Sequence, residues 1–263
     1  QVMIGAYAAA SLTALTGNFY LGILLAVLIT FASGYLLEYL LIRHLYRRDH
    51  MDQVLATFGL ILFFNELIRV GFGPAALFSS LPPSLSGFVN ILPETPYPVF
   101  RLLVIGVGLA CALGIHFLVS RTRMGAMVRA GANNEAMTAA LGVNIRVLRR
   151  AVFAAGACFA GVAGMMLGPL TAVEPGMGEP LLILSLVVII IGGIGSVRGA
   201  FIAAILIGIV DTMGRVLLPV LLRSFMGQAA ADGAGPALAS MMVYILMSLV
   251  LVVRPTGLFP PKG

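Results

Sequence analysis

Charge is scarce in this chain. Lys, Arg, Asp and Glu make up 10% of its 263 residues against 60% hydrophobic, and the mean hydropathy is +1.06. No soluble core could hide that much apolar surface, so the composition excludes a water-soluble globule and indicates a polytopic membrane protein. Cysteine and histidine are almost missing as well. Cys111 and Cys158 fall far apart within apolar runs with no companion His, which argues against a disulfide or a metal site. His44, His50 and His116 are scattered. The sequence has no Walker loop, no nucleophile elbow, no paired acidic motif for a diphosphate and metal, and no zinc spacing. A chain so composed cannot hydrolyse ATP, and a membrane-embedded enzyme would lack residues to do chemistry. No charged segment or cleavage site opens the chain, so no signal peptide is read.

The net charge of +6 does not point to nucleic acid, because no basic stripe with interleaved aromatics is present. The basic residues border apolar runs, as inside-loop bias and anionic lipid would place them. The runs predict an all-α integral membrane protein: one permease domain over 1–263, a helical bundle of about eight spans. Residues 2–16 are short for the ~20 residues that cross a bilayer. Spans follow at Phe19 to Ile42, Gln53 to Phe72, Val99 to Val119, Ala151 to Val173, Ala200 to Leu222 and Ala237 to Val253. Between Phe72 and Val99 lies a Pro-, Ser- and Gly-rich loop with one charge, Glu94, expected to carry a hairpin of its own. A second polar loop is expected from Arg223 to Pro236.

Leu181 to Ile191 is too short to span and breaks at Gly192, Gly193, Gly195 and Gly199 around Arg198. It fits a discontinuous span, since irregular backbone at membrane depth survives only where protein or a water-filled cavity covers it. GGIGSVRG is not G-x-G-x-x-G and lies in no βαβ unit, so a dinucleotide loop is excluded. Gly161, Gly164 and Gly168, with Ala157, supply small residues at close spacing, the mark of helices whose backbones approach closely at a packing seam or pore wall.

The longest polar interruption, 121–150, carries Arg121, Arg123, Arg129, Arg146, Arg149 and Arg150 against one acid, Glu135. Within it a short helix is expected, with Asn133 as N-cap, Asn134 and Glu135 in its first turn, and Gly142 closing it in the left-handed conformation. Met137, Ala140, Leu141 and Asn144 follow at helical spacing, forming either a docking surface for a cytosolic partner or a solvated connector with a chance amphipathic turn. Assigning Arg43, Arg47, Arg48, Arg254, Lys262, Arg198 and the six arginines of 121–150 to the inside leaves only Arg69, Arg101, Arg215 and Arg223 of the sixteen basic residues elsewhere. Both ends are then cytoplasmic. Two same-face charge pairs stand inside spans, Glu66 with Arg69 and Asp211 with Arg215; each is either a functional group on a path or a self-neutralising helix lock. Glu38, near an inner end, can snorkel and carries less weight.

The order QVMIGAY, Asn133 to Ala139, Leu141-Gly142-Val143-Asn144, the small-residue helix AVFAAGACFAGVAGMMLG, GGIGSVRGA and RPTGLF resembles the membrane subunits of branched-chain amino acid ABC importers, LivH-type. The match extends over nearly all the chain, with Arg198 standing where proline is common in the family. The resemblance implies a pore built with a second, LivM-type permease, two cytoplasmic ATPases that bind ATP and Mg, and a periplasmic solute-binding protein, in a bacterial inner membrane. This chain itself would hold no cofactor. The segment around Asn133, Asn134, Glu135, Met137, Leu141 and Gly142 would be the coupling element seated on an ATPase. Gly161, Gly164, Gly168, Gly192, Gly193 and Gly195 would border the translocation path. The resemblance also implies that a first helix precedes QVMIGAY. Solutes implied are branched-chain amino acids, other amino acids, amides or urea. The competing reading is a passive channel or ion-coupled carrier in which Glu66 or Asp211 binds a proton or cation.

Overall fold

The computed structural model describes residues 1–46, 48–78, 81–92, 95–224 and 227–259. Arg47, Glu94 and Lys262, used in the topology above, lie outside the described residues. Contacts divide the chain into two compact units, Gln1–Glu179 and Pro180–Gly263.

The first unit opens with α1 (Val2–Thr16) and α2 (Phe19–Leu37). Gly17, at φ 64°, ends α1 in the left-handed conformation that glycine enters without penalty. Asn18 then caps α2, its Oδ1 accepting from the Tyr20 and Leu21 amides at 3.1 and 3.4 Å. Helix α2 runs on through a π-helical turn, Glu38–Ile42, into α3 (Arg43–Leu45). Next come α4 (His50–Phe72) and the antiparallel hairpin of β1 (Phe88–Leu92) and β2 (Thr95–Pro98), with Val89 opposite Tyr97. The expected hairpin is therefore present. Helix α5 (Val99–Arg121), α6 (Arg123–Asn133), α7 (Glu135–Ala140) and α8 (Ile145–Leu167) follow, and α9 (Gly178–Gly192) begins at the end of this unit.

Helices α1, α2 and α8 pack as a triangle, and small residues make it possible. A Cβ on Gly5 would stand 2.5 Å from Gly161 Cα, and one on Gly161 would stand 2.6 Å from Thr30 Cγ2. Gly34 meets Ala157, and Gly164 meets the backbone of Val2. Lipid tails are as apolar as Leu, so helices in a membrane gain from backbones close enough for dispersion to act, which side-chain bulk would forbid. Helix α8 differs from the expected span at both ends. It begins six residues earlier, at Ile145, and ends at Leu167 because Pro169 has no N–H to continue the ladder. Val173, fully buried, instead exchanges backbone hydrogen bonds of 2.8 and 2.9 Å with Leu77.

The second unit holds the rest of α9 with α10 (Val197–Arg223) and α11 (Gln228–Val253). Val187, Ile191, Ala203, Ile207, Val243 and Val250 form its core. Helix α11 starts well before Pro236, so the loop expected up to Pro236 is mostly helix. Six helical segments are long and apolar enough to cross a membrane, and α1 and α9 are shorter apolar helices. The chain is an all-α polytopic membrane protein, and the expected eight spans correspond to these six and two. Helix α5 buries Phe100 and little else within the described chain, which for a membrane helix means lipid or a partner along most of its surface.

Substituting Gly5→Ala should lower stability by about 1–3 kcal/mol, as overpacking against backbone cannot relax through a side-chain rotation. Gly59→Ala, where a Cβ meets nothing within 4 Å, should be neutral or slightly stabilising. Thermal unfolding of both variants in one detergent checks the contrast.

Candidate functional site

The polar segment between α5 and α8 folds as two short helices. Thr122 caps α6, its Oγ1 accepting from the Gly125 amide at 3.1 Å. Gly125 lies so close to the carbonyls of Leu118 and Val119 that no side chain fits there, and Arg129 donates to the Val119 carbonyl. These contacts fold α6 back against the end of α5. The cap of α7 is Asn134, not Asn133: its Oδ1 accepts from the Met137 amide at 2.9 Å, while Asn133 is the last residue of α6. The shift follows from geometry, since the cap oxygen must reach the third residue after it. Gly142 takes φ 88° as expected. Asn144 then caps α8, accepting from Val147 at 3.3 Å.

One face of α7 is held and the other is free. Thr138 is buried and donates to the Asn134 carbonyl at 2.8 Å. Glu135 forms an ion pair with Arg149 of α8. Met137 and Leu141, by contrast, are 62% and 75% exposed, one helical turn apart in the most arginine-rich part of the chain. Apolar side chains held out from a polar segment mark a contact surface more than a packing fault.

Beneath this surface lies the group to which sequence reasoning gave little weight. Glu38 is 2% exposed, and its Oε2 stands 3.0 Å from Arg150 Nε. The two form an ion pair whose atoms are poorly aligned for a hydrogen bond. Arg150 also lies over the Tyr39 ring at 4.8 Å, and Arg43 lies over the same ring at 4.4 Å. Arg149 lies over Tyr46 at 4.7 Å. Burial, and secondarily the Glu38 charge, push the Tyr46 phenol above its ordinary range, with Arg149 opposing. Glu38, Tyr46, Glu135, Arg146 and Arg149 line an open cavity of about 990 Å³. The signal for Glu38 was present in the sequence as an acid inside an apolar run; its place near an inner end suggested snorkelling, and only the fold brings Arg150 to it.

Of the two expected charge pairs, Glu66 and Arg69 meet at 3.5 Å and Asp211 and Arg215 at 2.9 Å; Glu66, Arg69 and Arg215 are exposed and Asp211 is partly buried. Glu66 and Arg69 line a cavity of about 380 Å³ together with Asn65, Glu174 and Glu179, and Asn65 Nδ2 donates to Glu179 Oε1 at 2.6 Å. Gly161 and Gly164 lie in the α1–α2–α8 seam, and Gly168 ends α8. Among the described residues, no three His, Cys, Asp or Glu side chains converge as a metal site.

The glycine break is a built structure. Gly193 and Gly195 take φ 97° and 88°, and Ser196 caps α10 by accepting from the Gly199 amide at 3.1 Å. Gly192 and Gly199 touch backbone to backbone. The terminal carbonyls of α9 are satisfied by the tail after α11: Leu258 donates to Ile191 at 2.9 Å and Phe259 to Gly192 at 3.2 Å. GGIGSVRG and RPTGLF, remote in sequence, are therefore two halves of one helix terminus. Gly193→Ala combines positive φ with a Cβ 2.9 Å from the Phe259 carbonyl; it should release the tail, read as faster proteolysis of the C-terminus and a stability loss of about 1–3 kcal/mol.

A family profile described as branched-chain amino acid transport system, permease component, matches residues 1–251. The chain is 25% identical over 236 residues to the high-affinity branched-chain amino acid transport system permease protein BraD of Pseudomonas aeruginosa, covering 89% of this chain and 72% of that one. It is 26% identical to a probable branched-chain amino acid transport permease protein LivH of Methanocaldococcus jannaschii, over 97% of this chain and 79% of the relative. With LivH of Escherichia coli K12 it shares 23% identity over 89% and 71%. No solved structure matches.

Proposed function

This chain belongs to the branched-chain amino acid transport permease family, and we propose that it forms the translocation path for branched-chain amino acids in an ATP-driven importer of a bacterial inner membrane. Energy comes from two cytoplasmic ATPases holding ATP and Mg, the path is completed by a second, LivM-type permease, and a periplasmic binding protein delivers the solute. Both ends described here are cytoplasmic, in line with the distribution of basic residues. The observation that carries this reading is the exposed pair Met137 and Leu141 on α7, presented by a helix whose other face is anchored. A groove on one ATPase takes these side chains, and closure of the ATPases on ATP pushes α7 and switches the side to which the path opens.

The carrier alternative finds less support. Glu66 and Asp211 each have an arginine within salt-bridge distance, so neither stands as an uncompensated charge poised for a cation. Relatives' printed names all refer to branched-chain amino acids, which favours that class over amides or urea.

The double variant Met137→Arg/Leu141→Arg should lose the ATPase seated on this chain on purification and lower leucine uptake by about tenfold or more, as expected for loss of interface anchors, with unchanged amounts in the membrane. Asp211→Asn should keep most uptake. Uptake abolished by Asp211→Asn while the double variant stays active would favour the carrier.

A further inference from the structure

We infer that the motion of the coupling helix enters the membrane through α2 as well as α8, by way of the π-helical turn Glu38–Ile42, with Glu38, Arg149 and Arg150 as positioning residues. This rests on the importer reading above and adds to it the route by which α7 acts.

Covalently, α7 continues only into α6 and α8. Two side-chain relays extend it sideways. In the first, Glu135 of α7 holds Arg149, and Arg149 lies over Tyr46 just beyond α3 at 4.7 Å. In the second, Arg150 in the next position of α8 meets Glu38 at 3.0 Å and covers Tyr39, whose ring also takes Arg43. Both relays start on the first turns of α8 and end on the continuation of α2. The second arrives where α2 leaves regular α-helical bonding, and the first just past that turn, at Tyr46: Glu38–Ile42 is a π-helical turn, a form with one extra residue per turn that appears mostly as single-turn bulges and frequently at functional sites. A bulge can move along or leave a helix with little change in the number of backbone hydrogen bonds, so it offers two discrete arrangements for the relays to bias.

The chemistry of the second relay suits transmission more than stability. A buried ion pair contributes little net stability compared with an apolar replacement, because desolvation opposes the attraction, yet it fixes which surfaces meet. Glu38 is nearly inaccessible, its Oε2 lacks a hydrogen-bond donor, and Arg150 is one-fifth exposed. Further toward the membrane centre, α2 is held to α8 by Gly34 on Ala157 and Thr30 on Gly161. Displacement of α8 by the coupling helix must therefore either carry α2 with it or break this seam, and the relays act at the end where the displacement begins.

The test uses the complete transporter, both permeases and both ATPases, in liposomes with the solute-binding protein outside and leucine trapped by ATP-driven uptake. Three quantities are read for each variant: ATPase bound per permease, ATP hydrolysed, and leucine moved per ATP. Glu38→Gln and Arg149→Met should keep ATPase binding and hydrolysis while leucine per ATP falls about fivefold, a size typical of residues that modulate coupling. The charge exchange Glu38→Arg/Arg150→Glu should recover part of the loss seen in Glu38→Arg alone. Tyr46→Leu, at a half-exposed ring that poses little risk to folding, should also lower leucine per ATP. Wild-type leucine per ATP in Tyr46→Leu and Arg149→Met, or a fall in Glu38→Gln that merely follows lost ATPase binding, would overturn the relay. A wild-type complex that takes up leucine without ATP, or binds no ATPase, would instead remove the importer reading itself.

Discussion

Burying an ionised carboxylate in a membrane protein is costly without an answering charge, and the position of that charge constrains what surrounds it. Among the described residues Glu38 is the buried acid of the first unit, and Arg150 is its answer. Because Arg150 sits six residues into α8, the pair fixes the height at which α8 enters the bundle. It follows that Ile145 to Arg149 remain beyond the end of α2, and that α7, one glycine turn earlier, is displayed with Thr138 inward and Met137 and Leu141 outward. The small-residue seam of Gly5, Thr30, Gly34, Ala157 and Gly161 works on the same three helices from the other direction, through contact distance in place of charge. One interaction sets register and the other sets separation.

The second unit solves a related problem with backbone alone. A helix that stops within or near a membrane leaves carbonyls without partners, at a cost of several kcal/mol each in hydrocarbon. The tail from Arg254 to Phe259 supplies the missing donors to α9, and glycines at 192, 193, 199 and 257 allow the strands of chain to approach closely enough for it to do so. A short apolar helix is tolerable here because its end is completed by residues sixty-odd positions later.

Much of this was legible in the sequence, and the rest was not for identifiable reasons. Apolar runs and arginine placement are local properties, so the spans, the polar segment and the glycine break could be read directly. The hairpin between β1 and β2 was signalled by its Pro- and Gly-rich flanks. The one-residue displacement of the cap to Asn134 reflects two adjacent residues with the same side chain, between which only backbone geometry decides. Glu38 was given little weight because a carboxylate near the inner end of a span ordinarily reaches water; its burial depends on α8, more than one hundred residues away. The pairing of RPTGLF with the glycine break is likewise a contact between segments whose individual patterns carry no information about each other.

The most direct measurement is the composition of the particle that this chain forms. The full-length protein should be expressed with its genomic neighbours, extracted in a mild detergent and weighed intact by native mass spectrometry. The account predicts a particle containing two permease chains and two ATPases, from which Met137→Arg/Leu141→Arg removes the ATPase seated on this chain and leaves the permeases together. Recovery of the chain alone, or as a homo-oligomer without ATPase under conditions where the neighbours are expressed, would contradict it.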